Sequence, residues 1–165
     1  PGAGALWRFH RGVLELLSSG LTIPNAVCFS PDGRGAYFAD TPTRRLMVQA
    51  LDVEGWPDCE PDLFVDLAPE GFDPDGAVVD AEGALWNAQC GAGRIARYLP
   101  DGRLDRVVTV PARQTTCPAF GGPALTQLFV TTAREGVIEP DAAQGLTYCC
   151  DTGIRGQAEY RVLLG

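Results

Sequence analysis

A chain of 165 residues is one domain's worth of protein, long enough to bury a core. Its net charge of −8 excludes nucleic acid and an anionic membrane surface as natural partners, and no apolar run reaches the roughly 18 residues a spanning helix needs. All thirteen cationic residues are arginine, which excludes a catalytic lysine or Schiff base.

In chain order, residues 4–10 alternate and turn at Arg11-Gly12 into 13–17, a β-hairpin pattern. Residues 26–29 and 36–39 form a second hairpin around Ser30-Pro-Asp-Gly33. A strand is predicted over 45–52, then an acidic loop over 53–74 interrupted by Pro57, Pro61 and Pro69, with one short strand at 63–66. Residues 77–80 and 84–88 make the next hairpin, followed by strands at 94–98 and 104–110 joined through Pro100-Asp-Gly102. Strands are also predicted over 125–132, 145–150 and 159–163, and no apolar 3.6-residue period marks a helix.

The chain repeats itself. When Asn25 is set against Asp75, the turn acids Asp32 and Glu82 coincide, with Gly33 and Gly83 next. When Phe120 is set against Phe29 and Val79, Thr116 falls opposite Asn25 and Asp75, and Leu128-Phe129 opposite Tyr37-Phe38. Short strands, regular turn signals and repeat starts near 25, 75 and 116 predict an all-β fold, a β-propeller with one four-stranded blade per repeat. The chain reads as a single partial propeller domain over 1–165 of about three and a half blades, the C-terminal part of a larger whole, because an unclosed propeller exposes a sheet edge.

Equivalent positions on successive blades surround one axis, so Asn25, Asp75 and Thr116 converge on the channel mouth. An amide oxygen, a carboxylate and a hydroxyl suit a divalent cation such as Ca²⁺, Mg²⁺, Mn²⁺ or Zn²⁺. Against this stands ordinary turn chemistry, since Pro-Asp-Gly occurs at 31–33, 74–76 and 100–102. The first and third copies separate strands; Asp75 begins one.

Other features carry less. The single histidine, His10, lies in an alternating strand, and no Gly-x-Ser-x-Gly occurs. Gly91-Ala-Gly-Arg-Ile-Ala96 leads into a strand and not a helix, so it reads as a hairpin loop. The acids of 52–82 read as a solvated loop, and Asp73-Pro-Asp-Gly76 lacks the other ligands of an EF-hand. The cysteines at 28, 59, 90, 117, 149 and 150 include no Cys-x-x-Cys pair, and 28, 90 and 117 read as reduced structural thiols of a cytoplasmic protein.

The segments Ile23–Gly33 with Tyr37–Asp40, Pro74–Gly83 with Leu85-Trp86, and Thr115–Gly122 with Phe129–Ala133 resemble the senescence-marker-protein/gluconolactonase/luciferin-regenerating-enzyme family of regucalcin-like sugar lactonases. The resemblance runs over essentially the whole chain. It implies a six-bladed propeller, of which this chain supplies roughly the last three to four blades, with one divalent cation at the channel mouth. The family's Asn and Asp ligands fall on Asn25 and Asp75; its first-blade Glu and second-blade sugar-binding residues have no counterpart here. The implied reaction is hydrolysis of a small-molecule sugar lactone, with Asp75 a metal ligand and candidate general base, and with the isolated piece inactive. A non-catalytic calcium-binding propeller and an extracellular phosphotriesterase-like propeller are the alternatives. Ala26 stands where the family has Gly, and Asn87 where an apolar residue is common.

Overall fold

The computed structural model describes residues 1–161. Among them thirteen strands form four antiparallel sheets that follow one another along the chain. The first pairs β1 (Gly4–His10) with β2 (Val13–Leu21). The second holds β3 (Pro24–Phe29), β4 (Gly35–Asp40), β5 (Arg45–Ala50) and β6 (Asp62–Asp66) in sequential order. The third holds β7 (Asp73–Val79), β8 (Leu85–Cys90), β9 (Arg94–Tyr98) and β10 (Leu104–Thr109). The fourth is β11 (Thr115–Gly121), β12 (Gln127–Thr132) and β13 (Thr147–Asp151). This meander of all-β sheets is consistent with propeller architecture. The one helical turn among the described residues is a 3₁₀ segment, Thr41–Thr43, and none of their helices is long and apolar enough to cross a membrane.

The third sheet is covered on both faces, and the period of two in its strands explains how. Val79, Leu85 and Ala96 face the second sheet, where they meet Tyr37, Ala39 and Leu46. Val78, Trp86 and Ile95 turn the other way, onto Leu128 and Val130 of the fourth. Every residue of β8 from Leu85 to Gln89 is consequently buried. Each fully covered Leu, Ile or Val contributes about 1.5–3 kcal/mol, so these two seams hold the sheets face to face.

In each of the last three sheets the first strand is an edge strand: β3, β7 and β11. β3 packs on β7 and β7 on β11, so the three free edges lie side by side. Proline lacks the N–H that a ladder needs and is tolerated at such an edge. Pro24, Pro74 and Pro118 sit in these strands.

Three sequence expectations need correction. The strand expected to start at 77 begins at Asp73, because edge position lets Pro74 and Gly76 join it. Among the described residues the last sheet has three strands, where four were expected. Residues 159–161 of the strand expected at 159–163 form none, and the remainder lies outside the described residues.

Candidate functional site

The three repeat positions share one backbone device. Register shifts interrupt the β3–β4 ladder between Asn25 and Cys28, the β7–β8 ladder between Pro74 and Ala77, and the β11–β12 ladder between Thr115 and Cys117. Such bulges free residues from the ladder and re-aim their side chains. Asn25 begins the first irregularity, with Ala26 just after it in the left-handed region at φ 58°. Asp75 and Thr116 lie within the other two.

Gly76 separates this Pro-Asp-Gly copy from the two turn copies. Gly33 and Gly102 have φ of 69° and 81°, as turns demand. Gly76 lies inside β7 and is glycine for want of space: a Cβ there would stand 2.8 Å from the Thr116 carbonyl oxygen and 2.6 Å from Cys117 Sγ. The absent side chain lets β11 approach β7 beside Asp75.

Asn25 and the strand that carries Asp75 are joined through Thr41. The Asp40 carboxylate accepts hydrogen bonds from the backbone N–H of Thr22 at 3.1 Å and Ile23 at 2.7 Å, which fixes the chain entering β3. Thr41 Oγ1 donates to the Pro74 carbonyl at 2.7 Å and accepts from Asn25 Nδ2 at 3.2 Å. A hydroxyl has one proton, and Thr41 spends it on Pro74, so the amide group facing it is the NH₂. That leaves Asn25 Oδ1 as the amide's lone-pair donor. Burial raises the pKa of Asp75, while the Gly76 N–H and the Asn25 amide draw it partly back.

Thr116 joins its own sheet instead: its Oγ1 lies 2.7 Å from Thr131 Oγ1, and either hydroxyl can donate. Its side chain does not pair with Asn25 or Asp75 in any described hydrogen bond, although its backbone touches Gly76.

The pair fits a hard cation in donor type, one amide oxygen and one carboxylate. In number it falls short of a full shell, and no cluster of three His, Cys, Asp or Glu suited to a metal occurs among the described residues. The nearby thiols do not add to it. Burial raises the pKa of Cys28 and Cys90, and the negative charge of Asp75 raises that of Cys90 further. A hard cation prefers oxygen, and sulfur is the softer ligand. All six cysteines are free; Cys117, expected as a buried structural thiol, is exposed because it lies on the free edge of β11.

Two sets of contacts escaped the sequence reading, which noted Asn87 only as a polar residue at a commonly apolar position. Asn87, on β8, is fully buried and donates Nδ2 to the carbonyls of Asp75 at 3.1 Å and Gly76 at 3.2 Å, leaving its Oδ1 buried without a partner. Below the site, Arg97 is 3% exposed and binds Asp80 at 2.8 Å, Glu82 at 2.6 Å and Asp105 at 3.0 Å. Asp80, fully buried, also accepts the Trp86 indole N–H at 2.8 Å. The signal for this network was present as Asp80 and Glu82 in one hairpin opposite Arg97, but it fixes the sheet and not the site.

The lesser candidates are structural. His10 stands edge-on to Trp56, with ring centroids 6.1 Å apart. Gly91 and Gly93 turn the β8–β9 hairpin with φ of 83° and 63°. Asp52 caps its own loop, accepting from Glu54 and Trp56 backbone N–H groups at 2.9 and 2.8 Å.

Among curated proteins the chain is 35% identical over 167 residues to L-arabinolactonase of Azospirillum brasilense, covering 95% of this chain and 54% of that protein. It is 33% identical over 154 residues to 6-deoxy-6-sulfogluconolactonase of Pseudomonas putida, covering 91% and 52%. Its backbone superposes with a TM-score of 0.91 on the crystal structure of a calcium-binding protein, regucalcin, from Agrobacterium tumefaciens, at 39% identity over 98% of this chain and 57% of that one. The chain therefore spans about half the length of the relatives it matches. The model of the SMP-30/Gluconolactonase/LRE-like region matches residues 1–134, and the chain belongs to that family.

Proposed function

We propose that this chain supplies part of the active site of a sugar lactonase, built on a six-bladed propeller to which its sheets contribute about half. The observation that carries the reading is that Asn25 and Asp75 stand at neighbouring bulged edges, with Thr41 bonded both to the Asn25 amide and to the Pro74 carbonyl beside Asp75. Lactonase relatives support the substrate class.

A divalent cation, when bound, polarises a lactone carbonyl and lowers the pKa of a water. Asn25 and Asp75 are the two residues of this chain that would hold it. The Asp75 carboxylate would take the proton of the attacking water, although a cation held by the same carboxylate lowers its basicity. Thr41 locks the Asn25 amide so that its oxygen is presented without reorganisation. Water adds to the carbonyl carbon, the bond from that carbon to the ring oxygen breaks, the ring oxygen takes up the proton held by Asp75, and an open hydroxy acid leaves.

The test is hydrolysis of hexono- and pentonolactones by the intact protein, before and after chelation with EDTA and on repletion. Turnover that survives chelation, or survives Asp75→Ala, would sink the reading. The calcium-binding regucalcin neighbour favours a second reading, a calcium-binding propeller without catalysis. Cation binding that is lost in Asp75→Ala, with no lactone turned over by the wild type, would establish that one instead.

A further inference from the structure

The bulge between Pro74 and Ala77 takes Asp75 and Gly76 out of the β7–β8 ladder, and Asn87 is the residue paired with Ala77 just beyond it. Two carbonyls freed by a bulge inside a covered sheet need donors. The Asn87 NH₂ has two protons and places one on each, at 3.1 Å to Asp75 O and 3.2 Å to Gly76 O. A flipped amide would set oxygen against two carbonyl oxygens, so the orientation is fixed and Oδ1 is left buried with no partner. An orphaned acceptor carries its desolvation penalty into the fold. An apolar residue would avoid that penalty, and the repeat shows one is usual here: the positions equivalent to Asn87 are Tyr37 and Leu128, both buried. The amide occurs in the one repeat whose bulge presents a carboxylate.

We propose that Asn87 is a positioning residue for Asp75, its NH₂ clamping the two carbonyls of the bulge and thereby fixing the direction in which the Asp75 side chain leaves the backbone. The inference rests on the reading of Asn25 and Asp75 as a cation site and deepens it. Residues that orient a ligand in this indirect way affect affinity by about ten- to a hundredfold.

In the intact protein, Asn87→Leu removes both donors while keeping a γ-branched side chain. Calorimetric titration with Ca²⁺ alone and Mn²⁺ alone reads the site without turnover. The expected result is cation affinity weakened about ten- to a hundredfold, with kcat falling in step and the KM for lactone little changed. Val79→Ala, fully buried on the same strand beyond the bulge, is the control for general destabilisation and should lower the melting temperature with cation affinity unchanged. Unchanged affinity in Asn87→Leu, or an equal loss in Val79→Ala, overturns the positioning role. Retained binding in Asp75→Ala, or no binding by the wild type, overturns the cation site itself, so the two failures are distinguishable. Should Asn87→Leu fail to fold, the wild-type side-chain amide resonances decide: slow exchange and a shift of the Asn87 NH₂ signals on adding Ca²⁺ supports the role, and signals unmoved at saturating Ca²⁺ refute it.

Discussion

Replacing Gly76 by alanine adds one methyl where β7 and β11 meet. Gly76 is not in the left-handed region, so the substitution carries no backbone strain of its own and its cost is steric. The new Cβ would lie 2.6 Å from Cys117 Sγ, 2.8 Å from Cys117 Cβ and 2.8 Å from the Thr116 carbonyl oxygen. A thiol can swing aside. The other two atoms are backbone or fixed to it, so relief requires moving β11 as a strand. Overpacking of this kind costs about 1–3 kcal/mol, and rigid obstacles place it at about 2–3. Urea unfolding measures it as a lower midpoint at unchanged slope. Adding Cys117→Ala to Gly76→Ala removes only the sulfur and should restore less than about half of the loss. A Gly76→Ala loss below about 0.5 kcal/mol, or complete rescue by Cys117→Ala, would show that no rigid contact governs this position.

Arg97→Leu strips the counter-charge from buried Asp80. The remaining Trp86 indole and two backbone N–H donors soften the penalty, so the expected cost is about 3 kcal/mol, the low end for a broken buried pair, measured by denaturation. Thr41→Val keeps shape but cuts the link from Asn25 to Pro74; a loss of about 1 kcal/mol in stability should accompany weaker cation binding by calorimetry. Asp105 is held below the ordinary carboxylate range by Arg97 and then Arg106. Its folded pKa lies under its unfolded value, so its stabilisation is present above about pH 4 and disappears as pH falls through the depressed value. Asp105→Asn should therefore be less stable than wild type at neutral pH and converge with it in acid, and parallel stability curves down to the lowest pH would contradict that.

Strands bounded by clear turn residues were legible; β9 over 94–98, set between Gly91-Ala-Gly93 and Pro100-Asp-Gly102, came out with the expected bounds. The start of β7 was not, since Pro74, Asp75 and Gly76 are poor strand formers and only the free edge of the sheet admits them. β2 continues to Leu21 past the expected 17, because Ser18, Ser19 and Gly20 interrupt the apolar pattern while still pairing with β1. At the site, the repeat picked out Asn25 and Asp75, whose strands Thr41 links, and also Thr116, whose hydroxyl bonds to Thr131. Thr41 was invisible, and Asn87 showed only as a polar residue at a commonly apolar position, for a physical reason. Each acts on a carbonyl of another strand, at separations of 33 and 12 residues, and a carbonyl has no side chain to leave a pattern.

Each bulge amounts to an interchangeable mounting. The distortion belongs to the backbone and to the pairing of an edge strand with its neighbour, so the residue it carries can change without remaking the fold. This chain already fits three different fixtures, an amide, an acid and an alcohol, to the same socket. Chemistry at such a place can diversify by single substitutions, while the sheets behind it keep their packing and their stability.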